Sequence, residues 1–174
     1  MPRLGFIHDK LDIKFLILYI AARAAAPLDL SQLIDLTFCD EGVNYFEFIE
    51  ALDELVRTGH MDLDAEGRYT ITEKGKRNGA ICESSLAASV RYHADMGLAR
   101  VNAALRRDAQ VKAAVLLRAG GAYTLKLTLE DEYDTVLAIE LIAADREQAE
   151  KMGARFKANA EEIFNRLVNS LTED

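Results

Sequence analysis

The chain has 174 residues, half of them hydrophobic and 29% charged, with a formal net charge of −8. This balance excludes disordered, fibrous and disulfide-stapled classes and leaves one ordinary globular domain or two small ones. The longest charge-free stretch in its most apolar region, Phe15 to Ala22, is far shorter than the roughly 20 residues that span a bilayer, which excludes a transmembrane helix.

Neither a signal-peptide pattern at the start nor a lipidation pattern at Leu171–Asp174 is present, so the expected location is the cytoplasm. Cys39 and Cys82 are too few and too far apart for a disulfide framework or a Cys-pair zinc site and are expected to be reduced, packed thiols. Ten basic residues face fifteen acidic ones up to Tyr92, and eleven face fourteen beyond it. Neither half is a basic domain, so attraction to nucleic acid must come from a local patch.

Taken in chain order, the first periodic segment runs from about Leu11 to Ala25, and it is apolar over most of its circumference, as suits the central helix of a small domain. After Pro27, Asp29 with Gln32 three residues on predicts a capped second helix ending near Cys39. Asn44 then offers a cap to a third helix reaching Thr58, with Gly59 as its stop. The period changes to extended over Met61–Leu63 and Arg68–Ile71 around the turn Asp64–Gly67, a β-hairpin. Three short helices followed by a hairpin is the order of a winged helix-turn-helix, predicted over residues 1–83, with the third helix as reading helix and the hairpin as wing. Thr72 caps a fourth helix starting at Glu73.

A connector helix is predicted over Ser84–Leu105 on the stripe Leu86, Val90, Ala94, Leu98, Val101 and Leu105, with Gly97 as a candidate kink. Val111–Leu117, Tyr123–Leu129 and Thr135–Ile142 read as three strands, separated by Gly120-Gly121 and by Glu130–Asp134. The middle run alternates, so the expectation is a three-stranded antiparallel sheet with one covered face. Its cover is a long last helix, capped by Asp145 with Gln148, whose stripe runs from Ala149 to Leu171. The fold class is therefore α+β, with residues 84–174 forming the connector and a small dimerisation or sensing domain.

The segments Lys10–Ile20, Pro27–Gln32, Asn44–Phe46, Leu52–Leu55, Tyr69–Gly75 and Asp145–Ala149 together resemble a bacterial family catalogued as a domain of unknown function with a winged-helix start, similar to winged helix-turn-helix transcription regulators. The resemblance covers about Leu4 to Leu171 and implies a DNA-binding role.

On a helical wheel Tyr45, Phe48, Ile49, Leu52, Leu55 and Val56 share one side of the third helix, leaving Glu47, Glu50, Ala51, Glu54, Arg57 and Thr58 outward. Three glutamates against one arginine disfavour phosphates and most base edges. The basic candidates are Arg68 on the wing and Lys74, Lys76 and Arg77 opening the fourth helix, with Asn44 and Arg57 as candidate base contacts. Tyr45, Phe46 and Phe48 are expected in the core rather than as a stacking platform. His8, His60 and His93 are isolated, and no catalytic constellation, phosphate loop, metal-ligand spacing or cofactor fingerprint is found, so no enzyme, metal or cofactor is expected. Glu130, Asp131, Glu132 and Asp134 read as a solvated turn.

The first reading is a homodimeric, cytoplasmic regulator that binds double-stranded DNA, the dimer resting on the apolar stripes of the two long helices. The rival is a winged-helix module that does not bind DNA and presents its acidic third helix to a basic protein partner.

Overall fold

Six consecutive residues of the first helix, Leu16 to Ala21, are buried, a run longer than one helical turn, so this helix has solvent on no side along that length. In the computed structural model, which describes residues 5–172, α1 spans Lys10–Arg23 and is capped by Asp9, whose carboxylate accepts from the Leu11 and Asp12 amides. Ile13, Leu16, Ile17 and Ile20 are fully buried. Around α1 lie β1 (Leu28–Asp29), α2 (Leu30–Thr37), α3 (Tyr45–Arg57), β2 (Met61–Leu63), β3 (Arg68–Ile71) and α4 (Glu73–Cys82).

The capping box predicted at Asp29 and Gln32 is present in both directions. Asp29 also belongs to β1, a strand the sequence did not reveal, which pairs antiparallel with β3 and makes a three-stranded sheet in the order β1-β3-β2. Two residues are too short for alternation to register. Asp40 fastens the start of the described chain, accepting from the Phe6, Ile7 and Gly42 amides. α3 stops as expected at Gly59, which sits at φ +72 while its own amide and that of His60 close back onto the Val56 and Leu55 carbonyls.

Helix α5 (Ala88–Gln110) carries Val90, Ala94 and Leu98 into the same core as α1 and continues without a break through Gly97. The expected kink is corrected: a Cβ at position 97 would come within 2.9 Å of a Leu36 methyl, so the glycine serves close approach to α2.

The chain divides into two compact units, residues 1–105 and 106–174. In the second, β4 (Val111–Leu117), β5 (Tyr123–Glu130) and β6 (Thr135–Ala143) form an antiparallel sheet in sequential order. Leu125 is opposite Val115 on one side and Leu141 on the other, which fixes the apolar face. Helix α6 (Arg146–Thr172) covers it, with Phe156 and Ala160 in the core beside Val111, Leu125 and Leu127. Asp145 caps α6 by accepting from the Gln148 amide. The expected stripe is kept, with Phe156 and Ala160 both in the core, but the backbone of α6 leaves helical geometry at Asn159 (φ −134, ψ 27), where the Asn159 side-chain amide donates to the Arg155 carbonyl and Arg107 takes up the Ala158 carbonyl. Side-chain competition for backbone groups is the local cause. Overall the fold is mixed α+β, with two three-stranded antiparallel sheets and a long C-terminal helix among the described residues.

Phe156 is 1% exposed at the centre of the second core. Phe156→Ala is expected to destabilise this unit by about 3–5 kcal/mol, measured as faster hydrogen exchange at the Leu125 and Leu127 amides; unchanged exchange would contradict the assignment of Phe156 to that core.

Candidate nucleic-acid interface

The third helix begins at Asn44, whose Oδ1 accepts from the amides of Phe46 (2.9 Å) and Glu47 (3.4 Å), so capping occupies the oxygen of this predicted base contact. Phe48 is fully buried, but Tyr45 and Phe46 are 47% and 75% exposed, which corrects the expectation that all three pack in the core. Phe38, Tyr45 and Phe46 form a chain of ring contacts at the start of α3, with centroids 6.5 and 5.9 Å apart, and Phe48 anchors it edge-on to Phe38.

The acidic stripe also lies differently from the helical-wheel reading. Ala51 is buried rather than outward, Glu47 and Glu54 are half-buried, and Asp53 takes the exposed position beside Glu50 and Arg57. The whole face is rotated because α3 packs against α1 through Phe48, Ala51, Leu52 and Leu55. This turns Glu54 toward two lysines of α1. Lys10 donates to Glu54 at 2.8 Å and to Glu50 at 3.3 Å, and Lys14 donates to the other oxygen of Glu54. The lysine hydrogen bonds hold the Glu54 carboxyl down to about 2, and Glu54 and Glu50 push the Lys10 ammonium up.

The cations read from sequence fall into two groups. Arg68 is folded onto its own turn, with Nε 2.9 Å from Asp64 and a terminal nitrogen 3.3 Å from Glu66, while Asp64 also accepts from the Arg68 amide and titrates below its ordinary value for that reason. Lys76 pairs with Glu73 at 2.7 Å. Lys74 donates to the Thr58 carbonyl at 2.7 Å, so it closes the C-terminal end of α3. Arg57 and Arg77 are exposed and make no hydrogen bond or short ion pair with the described residues. The structure therefore brings Lys74 to the Arg57–Thr58 end of α3 and leaves Arg57 and Arg77 as its readiest cations.

His60, isolated in sequence, is the centre of a relay. The Thr58 hydroxyl donates to the Glu54 carbonyl at 2.6 Å and lies 2.7 Å from His60 Nδ1, and Asn78 Nδ2 lies 2.7 Å from Nε2. A hydroxyl has one proton, and the amide nitrogen can only donate. The consistent assignment is therefore a neutral imidazole protonated at Nδ1, donating to Thr58 and accepting from Asn78. Both ring nitrogens are engaged. Burial, then Lys74 and Lys14, lower the His60 pKa. The relay couples residues 18 apart, a pairing that no local spacing announces.

The cysteines are free, and burial pushes the Cys39 thiol up to about 11, which makes it a poor nucleophile. No group of three or more His, Cys, Asp or Glu among the described residues is placed to hold a metal, and no helix there is long and apolar enough to cross a membrane. The Glu130–Asp134 segment is a turn in which Asp131 accepts from the amides of Tyr133 and Asp134.

Among known proteins, the family described as a domain of unknown function (DUF4364) matches residues 13–171. The chain belongs to that family. The match starts inside α1 and ends in the last turn of α6, so it overlaps both compact units and includes Asn44, Arg57, Arg68, Lys74, Lys76 and Arg77. No curated protein and no solved structure gave a significant match.

Because His60 is neutral when folded and titrates near pH 6.5 when unfolded, the unfolded chain binds more protons just below that pH. Stability is therefore expected to fall as pH drops through about 6.5, and His60→Gln to flatten that slope in urea titrations. A slope unchanged in the variant would remove His60 as its source.

Proposed function

We propose that the first unit is a winged helix-turn-helix module that binds double-stranded DNA, and that the chain is a cytoplasmic transcription regulator. Supporting this is the order α1, β1, α2, α3, β2, β3, in which a capped third helix is followed at once by a hairpin that returns to pair with a short strand ahead of α2. The observation that carries the DNA reading is the neutralisation of Glu54, with Glu50 beside it, by Lys10 and Lys14. Sequence alone sets three glutamates against the phosphates. The folded helix instead offers Asn44, Tyr45, Phe46, Asp53 and Arg57 together with a partly compensated Glu50. Phosphate contacts fall to Arg57, Arg77, Lys76, Lys74 and Arg68. The ion pairs of Lys76 with Glu73 and of Arg68 with Asp64 and Glu66 are exposed and are worth about 0–1 kcal/mol each, so a phosphate can exchange for the carboxylate.

A second reading is favoured by one observation: the exposed Tyr45 and Phe46 border Asp53 and Glu50, a pairing of aromatic and acidic groups that suits a basic protein surface. On this reading the module does not bind DNA.

Fluorescence anisotropy against pooled genomic duplexes at two salt concentrations separates the two. The DNA reading expects affinity to fall with salt, and Lys76→Glu with Arg77→Glu to weaken binding and flatten the salt slope by about one unit per lost phosphate contact. It also expects Glu50→Gln to strengthen binding at low salt. No binding at low salt in either the wild type or Glu50→Gln would overturn it in favour of the protein partner.

A further inference from the structure

We propose that β6 is a dimerisation edge, on which a second copy of this chain pairs its own β6 antiparallel to make one six-stranded sheet across the two molecules. This concerns the second unit alone and stands whether or not DNA is the partner of the first.

Among the described residues β6 is the longest strand and lies at the edge of its sheet, so one row of its backbone amides and carbonyls has no described strand beside it. Natural sheets blunt such edges with charge, proline or bulges. Here Thr135–Ala143 holds no proline and no lysine, and its single charge, Glu140, is already matched by Lys126 at 2.7 Å across the strand pair. The one irregularity is at the far end, where the register shift after Leu129 leaves Val136 as an extra residue. From Leu137 onward the edge is regular and carries little net charge.

The covered face points the same way. Leu125 and Leu127 on β5 are 0% and 5% exposed beneath α6, whereas Leu137 and Ile139 on β6 are half-buried and Leu141 is 37% exposed. Cover from α6 thins toward the β6 side. On the opposite face Ile142 is 67% exposed. An apolar edge strand is thus left partly bare on both faces.

A second copy fits because the strand is self-complementary about Ile139. A two-fold axis there sets Ile139 against its own counterpart, Leu137 against Leu141 of the second copy, and Val136 against Ile142, all apolar pairs. Glu140 then lies opposite Ala138 of the second copy, and each carboxylate keeps its Lys126. Centring the pair on Glu140 would oppose two carboxylates, and centring it on Ala138 would set Val136 against Glu140 and Thr135 against Leu141. The pattern therefore selects one register. Dimerisation through the stripes of the two long helices, the expectation from sequence, uses a different surface, of which Leu167 and Leu171 are the exposed part on α6.

Sedimentation of the full chain at micromolar concentration with two exposed-site variants, together with disulfide cross-linking of two cysteine variants, tests the assignment. The wild type is expected at twice the 19.3 kDa chain mass. Leu141→Lys removes both Leu137–Leu141 contacts of the dimer at once, so its dissociation constant is expected to rise about tenfold or more with unchanged circular dichroism. Leu171→Lys is expected to leave the dimer intact. With Cys39→Ala and Cys82→Ser in place, Ile139→Cys should cross-link under mild oxidation, since facing Cβ atoms on paired strands lie about 4.5–5.5 Å apart, while Leu117→Cys on the other edge strand should not. A monomeric wild type overturns the proposal. So does a dimer that survives Leu141→Lys without Ile139→Cys cross-linking, or one that dissociates only with Leu171→Lys. These outcomes are read without DNA, so they are independent of the function assigned to the first unit.

Discussion

Helix α1 must be surrounded, and the first unit is organised by that requirement. Fully burying one Leu or Ile side chain contributes about 1.5–3 kcal/mol, and Ile13, Leu16, Ile17 and Ile20 are each at 0% exposure. No single neighbour can cover a helix that is apolar on every side, so α2, α3 and the first half of α5 pack apolar side chains against it, and α4 approaches it closely where Gly79 meets Leu18. Tyr19 shows the same constraint at a polar atom: its ring lies under Arg23 at 3.7 Å, and its hydroxyl, drawn into the packed interior, donates to Asp95 on α5 at 2.9 Å. Burial and that hydrogen bond both raise its pKa.

From the packing of α1 follows the electrostatic character of α3. The side of α3 that reaches into the core is set by Phe48, Ala51, Leu52 and Leu55, and this rotation decides which carboxylates face α1 and which face water. Lys10 and Lys14 sit one turn apart on α1 and face Glu54 as a consequence, while Glu50 shares Lys10 at the edge. The charge that a partner would meet is therefore smaller than the residue count suggests. The same rotation brings Tyr45 and Phe46 out, since a 13-residue helix with one buried face has no room for every aromatic at its start. At the other end of α3, the Gly59 stop, the Lys74 bond to the Thr58 carbonyl and the His60 relay to Asn78 fix the helix against α4. The position of α3 is thus determined at both ends.

The second unit rests on a simpler arrangement, one amphipathic helix laid on one face of a three-stranded sheet. A helix about 10 Å across covers roughly two strands at their spacing of about 4.8 Å. The third strand, β6, is where cover runs short. That geometry, rather than any single residue, leaves the edge partly apolar and open.

Much of this architecture was legible in the chain because it depends on local signals: the Asp29–Gln32 capping box, Asn44 and Gly59 bounding α3, the Asp64–Gly67 turn, and the strict alternation of Tyr123–Leu129. Each works through hydrogen bonds or φ preferences within a few residues, so spacing alone reveals it. The two-residue β1 was not legible, because its only reason to be extended is the distant strand β3. Nor was the outward face of α3, since a wheel ranks Ala51 as indifferent and Phe46 as apolar without knowing that α1 supplies the packing surface. The pairing of Glu54 with Lys10 and Lys14, some 40 residues away, and of His60 with Asn78 likewise needed the chain brought back on itself. Sequence by itself determined the order and type of most elements and the caps and turns that bound α2, α3 and the hairpin, through contacts of short range, whereas the connector helix expected over Ser84–Leu105 instead runs from Ala88 to Gln110. Only the tertiary structure decided which charges remain available to a partner, because neutralisation is set by distance in space and not along the chain.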